Sequence, residues 1–382
     1  MNPLTKILEY AIENVEGYSS LKNNLSEFPI IDRFQLQCSS QRFISKKYKN
    51  CTDQLMVKTS SGSSGRPLSI YWDTNSYLSS MHTLWKYRRI YYNIYPMTKR
   101  LDFTLDSSLD RWYIIQRTGI SVSRKIIYDA SKIEELLHLV KENYIEWIYI
   151  QPHVASALAI AIVNNNLLIP KSIRYIEFVG EILTPSIRKY VESVFKCPTS
   201  NMYGSEEMNG IAYECPCHTM HVLNDNVHIE IIGTVEGEAI LTSLQNYAMP
   251  LIRYCQGDII SLRKDYICSC GRTGDVVSVI QGRSYEKISV TGDTINPYVL
   301  IDVMEYINRL IGGEILEYKL EYNTREQICR LYIVPISIKR IANYMRIVSK
   351  VLIDKNIIQT MQQIIVIDKI PCKGKYSVIE VT

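Results

Sequence analysis

The stretch between residues 131 and 179 limits the folding of this chain most strongly. "SKIEELLHLVKENY" puts Ile133, Leu136, Leu137 and Val140 on one face at helical spacing, with Ser131 placed to cap the helix. The short apolar run "WIYI" follows, then "VASALAIAIV" from Val154, then the strand-like "SIRYIEFVG". Strand, helix and strand joined by short turns predict a βαβ arrangement and a parallel sheet. The Val154 run reads as a buried helix, because it is only about half the length needed to span a bilayer.

The texture changes on either side. The first fifty residues read as helix and connection, with "FPIID" extended, and Tyr77 to Tyr95 has helical spacing. From about Asn226, "VHIEIIG", "EGEAILTSL" and "PLIRYCQGDII" alternate between Gly and Asp turns, the pattern of a β-rich subdomain. The C-terminal part runs "LIDVMEYINRL", "EILEYKLEY", "ICRLYIVPI", "RIANYMRIVSKVLI" and "IIVI". That α, β, β, α, β order suits a small separate α+β domain, with the boundary near "QGRSYEK" at residues 281–287. The expected class is therefore α/β: a large domain over 1–281, β-rich over about 212–281, and a small domain over 282–382.

A chain of 382 residues can hold two or three domains, and its net charge of +4 gives no basis for a nucleic-acid or membrane partner. The start, "MNPLTKILEYAIENVEGY", lacks the apolar core of a signal peptide, so a soluble cytoplasmic protein is expected. Its ten cysteines should then be reduced thiols, and a cluster of them is a metal-site candidate. Cys215, Cys217, Cys268 and Cys270 form such a cluster.

Three further stretches carry chemistry. In "KTSSGSSGRPLSIYW", small residues and hydroxyls let a backbone curl around a phosphate; the same composition also makes a plain surface connection. "NMYGSEEMNG" offers an aromatic ring at Tyr203 and paired carboxylates at Glu206 and Glu207, hard oxygen donors of the kind magnesium takes, or else solvated turn acids. In "PLIRYCQGDII", Asp258 can accept two hydroxyl hydrogen bonds from a ribose diol, or serve as an ordinary turn residue.

The order of these stretches decides among the alternatives. "SSGSSGRP", Gly180–Glu181, "YGSEE", "RYCQGD", Gly282–Arg283 and a C-terminal "GK" succeed one another as in the adenylate-forming superfamily. The chain most resembles its phenylacetate–CoA ligase branch and that branch's capsule-biosynthesis-type relatives. "SSGSSGRP" resembles their "SSGTTGKP", "PLIRYCQGDI" their "PLIRYRTxDI", "CSCGRTG" their "CxCGRT", and "IPCKGKYSVIEV" their "PRSxGKxxR". The resemblance runs from about Pro29 to the end.

It implies ATP-dependent activation of a small carboxylic acid, an aryl or amino acid by family tendency. Pyrophosphate leaves, and the acyl group passes to CoA, a carrier protein or an amine. Ser60, Ser61, Gly62, Ser63, Ser64, Gly65 and Arg66 would line the triphosphate. Gly180 and Glu181 would border the adenine, with Tyr203 stacked on it and Gly204, Ser205 and Glu206 completing that loop. Glu207 falls on the magnesium-binding Glu, Asp258 on the ribose-binding Asp with Arg283 nearby, and Lys375 on the lysine that reaches both the substrate carboxylate and the α-phosphate. Residues 282–382 would form a mobile lid, and a homodimer is among the expected states. Cys215, His221, Cys268 and Cys270 occupy positions resembling a structural zinc site of part of the branch, with Cys217 and His218 as competing ligands.

The chain also departs from the pattern. Glu206 stands where the family has Ser or Thr, Tyr285 sits at the hinge position, Thr291 replaces an Arg, and His153 stands where Ser is usual. Two other readings stay open: an acid–amine ligase, and a degenerate nucleotide-binding protein, which Glu206 and the altered hinge leave room for.

Overall fold

The computed structural model describes residues 2–60, 68–104, 111–283, 288–290, 293–326, 328–355, 357, 364–368, 370 and 378–381. The chain divides into two compact units, each made of two stretches. One joins Met1–Tyr95 to Met202–Ser284, the other Pro96–Asn201 to Tyr285–Thr382.

The first unit is built on an antiparallel sheet. Its strands lie in the order Val227–Ile232, Glu236–Ser243, Tyr254–Ile267, Thr273–Arg283, Met220–Val222, Asn209–Glu214, and the Met202–Ser205 end of strand Thr199–Ser205. Alternating burial along Val227–Ile232 follows from the side-chain period of two in a sheet with one covered face. Ile211 and Leu241 of the sheet share one buried apolar cluster with Tyr18, Leu36, Ile70 and Trp72.

Two short features at the margin of this sheet matter later. Strand Ile31–Asp32 runs parallel to the 254–267 strand, with Ile31 opposite Tyr254 and Asp32 opposite Cys255. Asp32 then caps helix Arg33–Ser39 in a capping box with Gln35, which ends the strand and starts the helix within one residue. The hairpin Met56–Ser60/Leu68–Trp72 pairs Met56 with Trp72 and Ser60 with Leu68. The assignments at Ser61, Gly62, Ser63, Ser64, Gly65 and Arg66 lie outside the described residues.

The second unit contains the predicted parallel sheet. Tyr175–Val179, Trp147–Ile150, Arg100–Asp102 and Gly119–Val122 are neighbours in parallel, and Tyr113–Gln116 is added antiparallel at the edge. Helix Pro152–Asn164 is the βαβ crossover, and its residues 154–162 are all buried, as its apolar run requires. Helix Ala130–Glu142 buries the four predicted apolar positions. Its cap is Asp129 rather than Ser131, because the Asp129 carboxylate accepts from both the Ser131 and Lys132 amides.

The C-terminal stretch adds helix Pro297–Leu310, helices Ile338–Ala342 and Met345–Asp354, and a sheet ordered Ile364–Val366, Ile328–Pro335, Ile315–Asn323, Ile379–Val381. Leu300, Met304, Ile307 and Leu331 share one apolar cluster with Val154, Leu158 and Phe178. Described residues of the C-terminal stretch thus contribute to the core of this unit. No helix among the described residues is long and apolar enough to cross a membrane.

Candidate active site and metal centre

In the first unit the 254–267 strand organises the polar residues. Cys255 and Ile259 face Ile240 and Glu238 on the adjoining strand, so three residues, Gln256 to Asp258, are inserted against one. Gly257, at φ 89°, makes this bulge feasible without side-chain strain. A bulge re-aims side chains, and here it turns Asp258 and Gln256 to Tyr203. The Tyr203 hydroxyl donates to Asp258 Oδ2 over 2.7 Å. Gln256 Nε2 donates to the Tyr203 oxygen over 2.8 Å and to Asp258 Oδ2 over 2.6 Å. The backbone of Arg283 pairs with that of Asp258 in the ladder.

The carboxylate pair beside Tyr203 divides into unlike members. Glu206 is exposed, and its backbone carbonyl accepts from Trp72 Nε1 over 3.2 Å, tying the loop to the Leu68–Trp72 strand that follows the serine-rich segment. Glu207 is buried. Tyr254 donates its hydroxyl to Glu207 Oε1 over 3.3 Å, and Arg33 Nη1 stands 3.6 Å from the same oxygen. Two adjacent hard-oxygen groups, one of them open to solvent, fit a magnesium ion in chemical type. Gly204 and Ser205 complete the turn; the Ser205 hydroxyl accepts from the Met208 amide over 3.2 Å.

Of the six thiol and imidazole candidates, four converge. The donor atoms of Cys215, His221, Cys268 and Cys270 all lie within 4.8 Å of one another. Cys215 and Cys268 sulfurs are 3.9 Å apart, and Cys270 Sγ is 3.4 Å from His221 Nε2. Zinc–thiolate bonds of about 2.3 Å imply tetrahedral sulfur–sulfur edges of about 3.8 Å, so the spacing and the donor set both fit Zn²⁺. A disulfide, near 2.05 Å, is far shorter. Burial pushes the Cys215 thiol up to about 12 and the His221 imidazole down to about 4. Burial also raises Cys268, but hydrogen bonds from the Cys270 backbone and neighbouring side chains outweigh it and bring that thiol down to about 7. A neutral imidazole and a ready thiolate are what a metal ligates. Cys217 is exposed, and His218 is 51% exposed with Nδ1 3.9 Å from Glu214; neither belongs to the cluster.

Gly180 and Glu181 lie in the second unit, just after strand Tyr175–Val179. There the Glu181 carboxylate is in close contact with His153 Nδ1. Burial pulls the His153 imidazole down, yet the Glu181 charge and hydrogen bond outweigh it and leave His153 above its ordinary value. His153 also lines a small cavity with Ser156, Glu305, Asn308 and Tyr318. Lys375, Tyr285 and Thr291 fall outside the described residues, and of Ser60 and Arg283 only the backbone is described.

Sequence reasoning missed Gln256, Tyr254 and Arg33. Gln256 stood inside a motif already singled out, and its signal was its place two residues before Asp258. Arg33 carried no signal of its own, since only the parallel pairing of Ile31 with Tyr254 brings it to Glu207.

The chain shares its fold with solved CoA ligases. A 2-hydroxyisobutyryl-CoA ligase, solved in its postadenylation state with an acyl-AMP, superposes over 100% of this chain and 88% of its own, with a TM-score of 0.71 and 14% identity. An anthranilate CoA ligase bound to anthranoyl-AMP covers 85% of this chain and 66% of its own, with a TM-score of 0.56 and 13% identity. In sequence, 139 residues, 33% of this chain, are 30% identical to a phenylacetate–coenzyme A ligase of Thermus thermophilus. That match spans 31% of the relative's length. No family model matches the chain.

Proposed function

We propose that this chain activates a small carboxylic acid with ATP. The acid's carboxylate oxygen attacks the α-phosphorus, the bond to the β-phosphate oxygen breaks, and pyrophosphate leaves. A thiol of CoA or of a carrier protein then attacks the acyl carbon of the adenylate, its proton passes to solvent, and AMP departs. The supporting observation is the bulge-borne cluster of Tyr203, Gln256 and Asp258 on this fold. It offers one aromatic face and an oriented carboxylate, which together suit an adenosine.

Each residue has a stated part in this reading. Asp258 accepts the ribose hydroxyls, and Gln256 holds it and Tyr203 in register. Gly180 and Glu181 border the adenine. Ser60, Ser61, Gly62, Ser63, Ser64, Gly65 and Arg66 cradle the phosphates, with Arg283 near the ribose. Glu207, with Glu206 beside it, would hold Mg²⁺, which neutralises phosphate charge when bound. Lys375 reaches the reacting carboxylate from the C-terminal stretch, and residues 282–382 serve as the lid. Catalysis on such a crowded phosphoryl centre is mainly positioning and electrostatics. We place a structural zinc at Cys215, His221, Cys268 and Cys270, where it would pin the 209–214 and 220–222 strands to the 268–273 turn.

The test is acid-dependent exchange of labelled pyrophosphate into ATP over a broad library of aryl, amino and aliphatic acids. Exchange with one chemical class and none without acid is the expected result. Nucleotide binding with no exchange for any acid would make the chain a binding protein. Exchange followed by acyl transfer to amines but not thiols would make it an amide ligase.

A further inference from the structure

The ion pair that buries Glu207 leaves part of Arg33 uncommitted. Arg33 Nη1 faces Glu207, but its Nε and Nη2 are buried and have no hydrogen-bond partner among the described residues. A guanidinium is never deprotonated at ordinary pH, and buried donors without acceptors are costly, so they mark a place where an acceptor belongs. Topology brings Arg33 beside the bulged strand. The parallel register sets Asp32 opposite Cys255, so Arg33 and Gln256 are the next residues along the two elements. Gln256 belongs to the bulge that carries Asp258, and Arg33 touches the carboxylate assigned to magnesium.

We infer that Arg33 is an anion-binding residue of this site, its Nε and Nη2 donating to a phosphoryl oxygen of the nucleotide or of pyrophosphate. This rests on the nucleotide reading above. Charge balance supports it. With no metal, Arg33 neutralises Glu207. A divalent ion at Glu207 would take over that neutralisation, and the guanidinium would then need an anion, which a phosphate supplies in the forked geometry that arginine matches best. Lysine keeps the charge and loses the fork.

The experiment measures binding of Mg²⁺–pyrophosphate and of Mg²⁺–ATP to the intact chain by calorimetry, without turnover. Arg33→Met should weaken pyrophosphate at least tenfold, and Arg33→Lys should lie between it and the unmodified protein. Removing one partner of a buried pair can unfold a protein, so the double variant Arg33→Met/Glu207→Gln is compared with Glu207→Gln alone. Weaker pyrophosphate binding by the double variant supports a direct contact. Equal binding by the two means Arg33 serves only Glu207 and overturns the proposal. If the unmodified chain binds neither ligand, the nucleotide reading and the Arg33 proposal fall together. If it binds both and Arg33→Met binds them equally well, only the Arg33 proposal falls.

Discussion

Tyr203 and Asp258 are 55 positions apart, and the hydroxyl of one donates to the carboxylate of the other over 2.7 Å. Gln256 bonds to both, so the three act as one hydrogen-bonded unit. A hydrogen bond to a charged group contributes roughly 1.5–3 kcal/mol. Gln256→Leu should therefore raise KM for ATP about tenfold while changing kcat little, and Asp258→Ala should raise it further. Steady-state pyrophosphate exchange at varied ATP separates the two constants.

The four-ligand cluster makes a compositional prediction. The chain purified without chelator should carry one zinc by elemental analysis, and Cys268→Ser should carry none. Metal-dependent stability is largely folding free energy when the site is structural. Cys268→Ser and prolonged chelation should each lower the melting temperature by several degrees, whereas Cys217→Ser should leave both metal content and melting unchanged.

Glu305 sits on helix Pro297–Leu310, 6% exposed, and its carboxylate accepts from the Ser156 hydroxyl over 3.1 Å. Burial pushes its pKa up to about 7; Ser156, Arg309 and His153 oppose the rise and Asp302 adds to it. The folded state holds this proton more tightly than the unfolded chain, whose value is near 4.5. The stability it contributes is thus full below about pH 4.5 and is lost as pH climbs to about 7, a change of order 3 kcal/mol. His153, also raised, adds loss of the same sign. Urea midpoints at pH 5 and pH 8 should differ markedly in the unmodified chain and much less in Glu305→Gln.

Much of this was legible in the sequence. The βαβ run and the β-rich stretch follow from periodicity, which responds to a neighbouring face wherever that face comes from. Helix 130–142 was found and its cap placed two residues too late, because Ser131 and Asp129 are both capping types and only geometry chooses. The rearrangement by the bulge was hidden. Nothing in "YCQGD" states that three residues oppose one, so Gln256 looked like spacing between motifs. Equally hidden was the interleaving of the chain, since periodicity reports that a face is covered and not which distant segment covers it.

Gly119 supplies a stability test in the parallel sheet. Its φ is 142°, and a Cβ there would lie 1.9 Å from the Arg100 carbonyl oxygen, its partner in the ladder. Gly119→Ala must shift that backbone, and a loss of about 2–4 kcal/mol is expected. Chemical denaturation measures it; zinc content should stay unchanged.

Lys375 makes the most direct test of the chemistry. Lys375→Ala should reduce acid-dependent pyrophosphate exchange by about a hundredfold or more, since one electrostatic contact at a developing charge carries that much. Circular dichroism and ATP affinity should be nearly unchanged. Lys373→Ala is the companion variant; if it alone abolishes exchange, the catalytic lysine is Lys373.

The interleaving of the two units has a consequence for biosynthesis. Helix 152–164 leaves the ribosome early, yet the residues that cover it include Leu300, Met304 and Ile307. Until those emerge, part of its apolar surface has no native cover. The nascent chain therefore passes through a long interval with a sticky helix on display, when holdase chaperones are most needed. For the same reason, a version cut short at residue 284 should be recovered from cells as inclusion bodies and not as a free-standing N-terminal half.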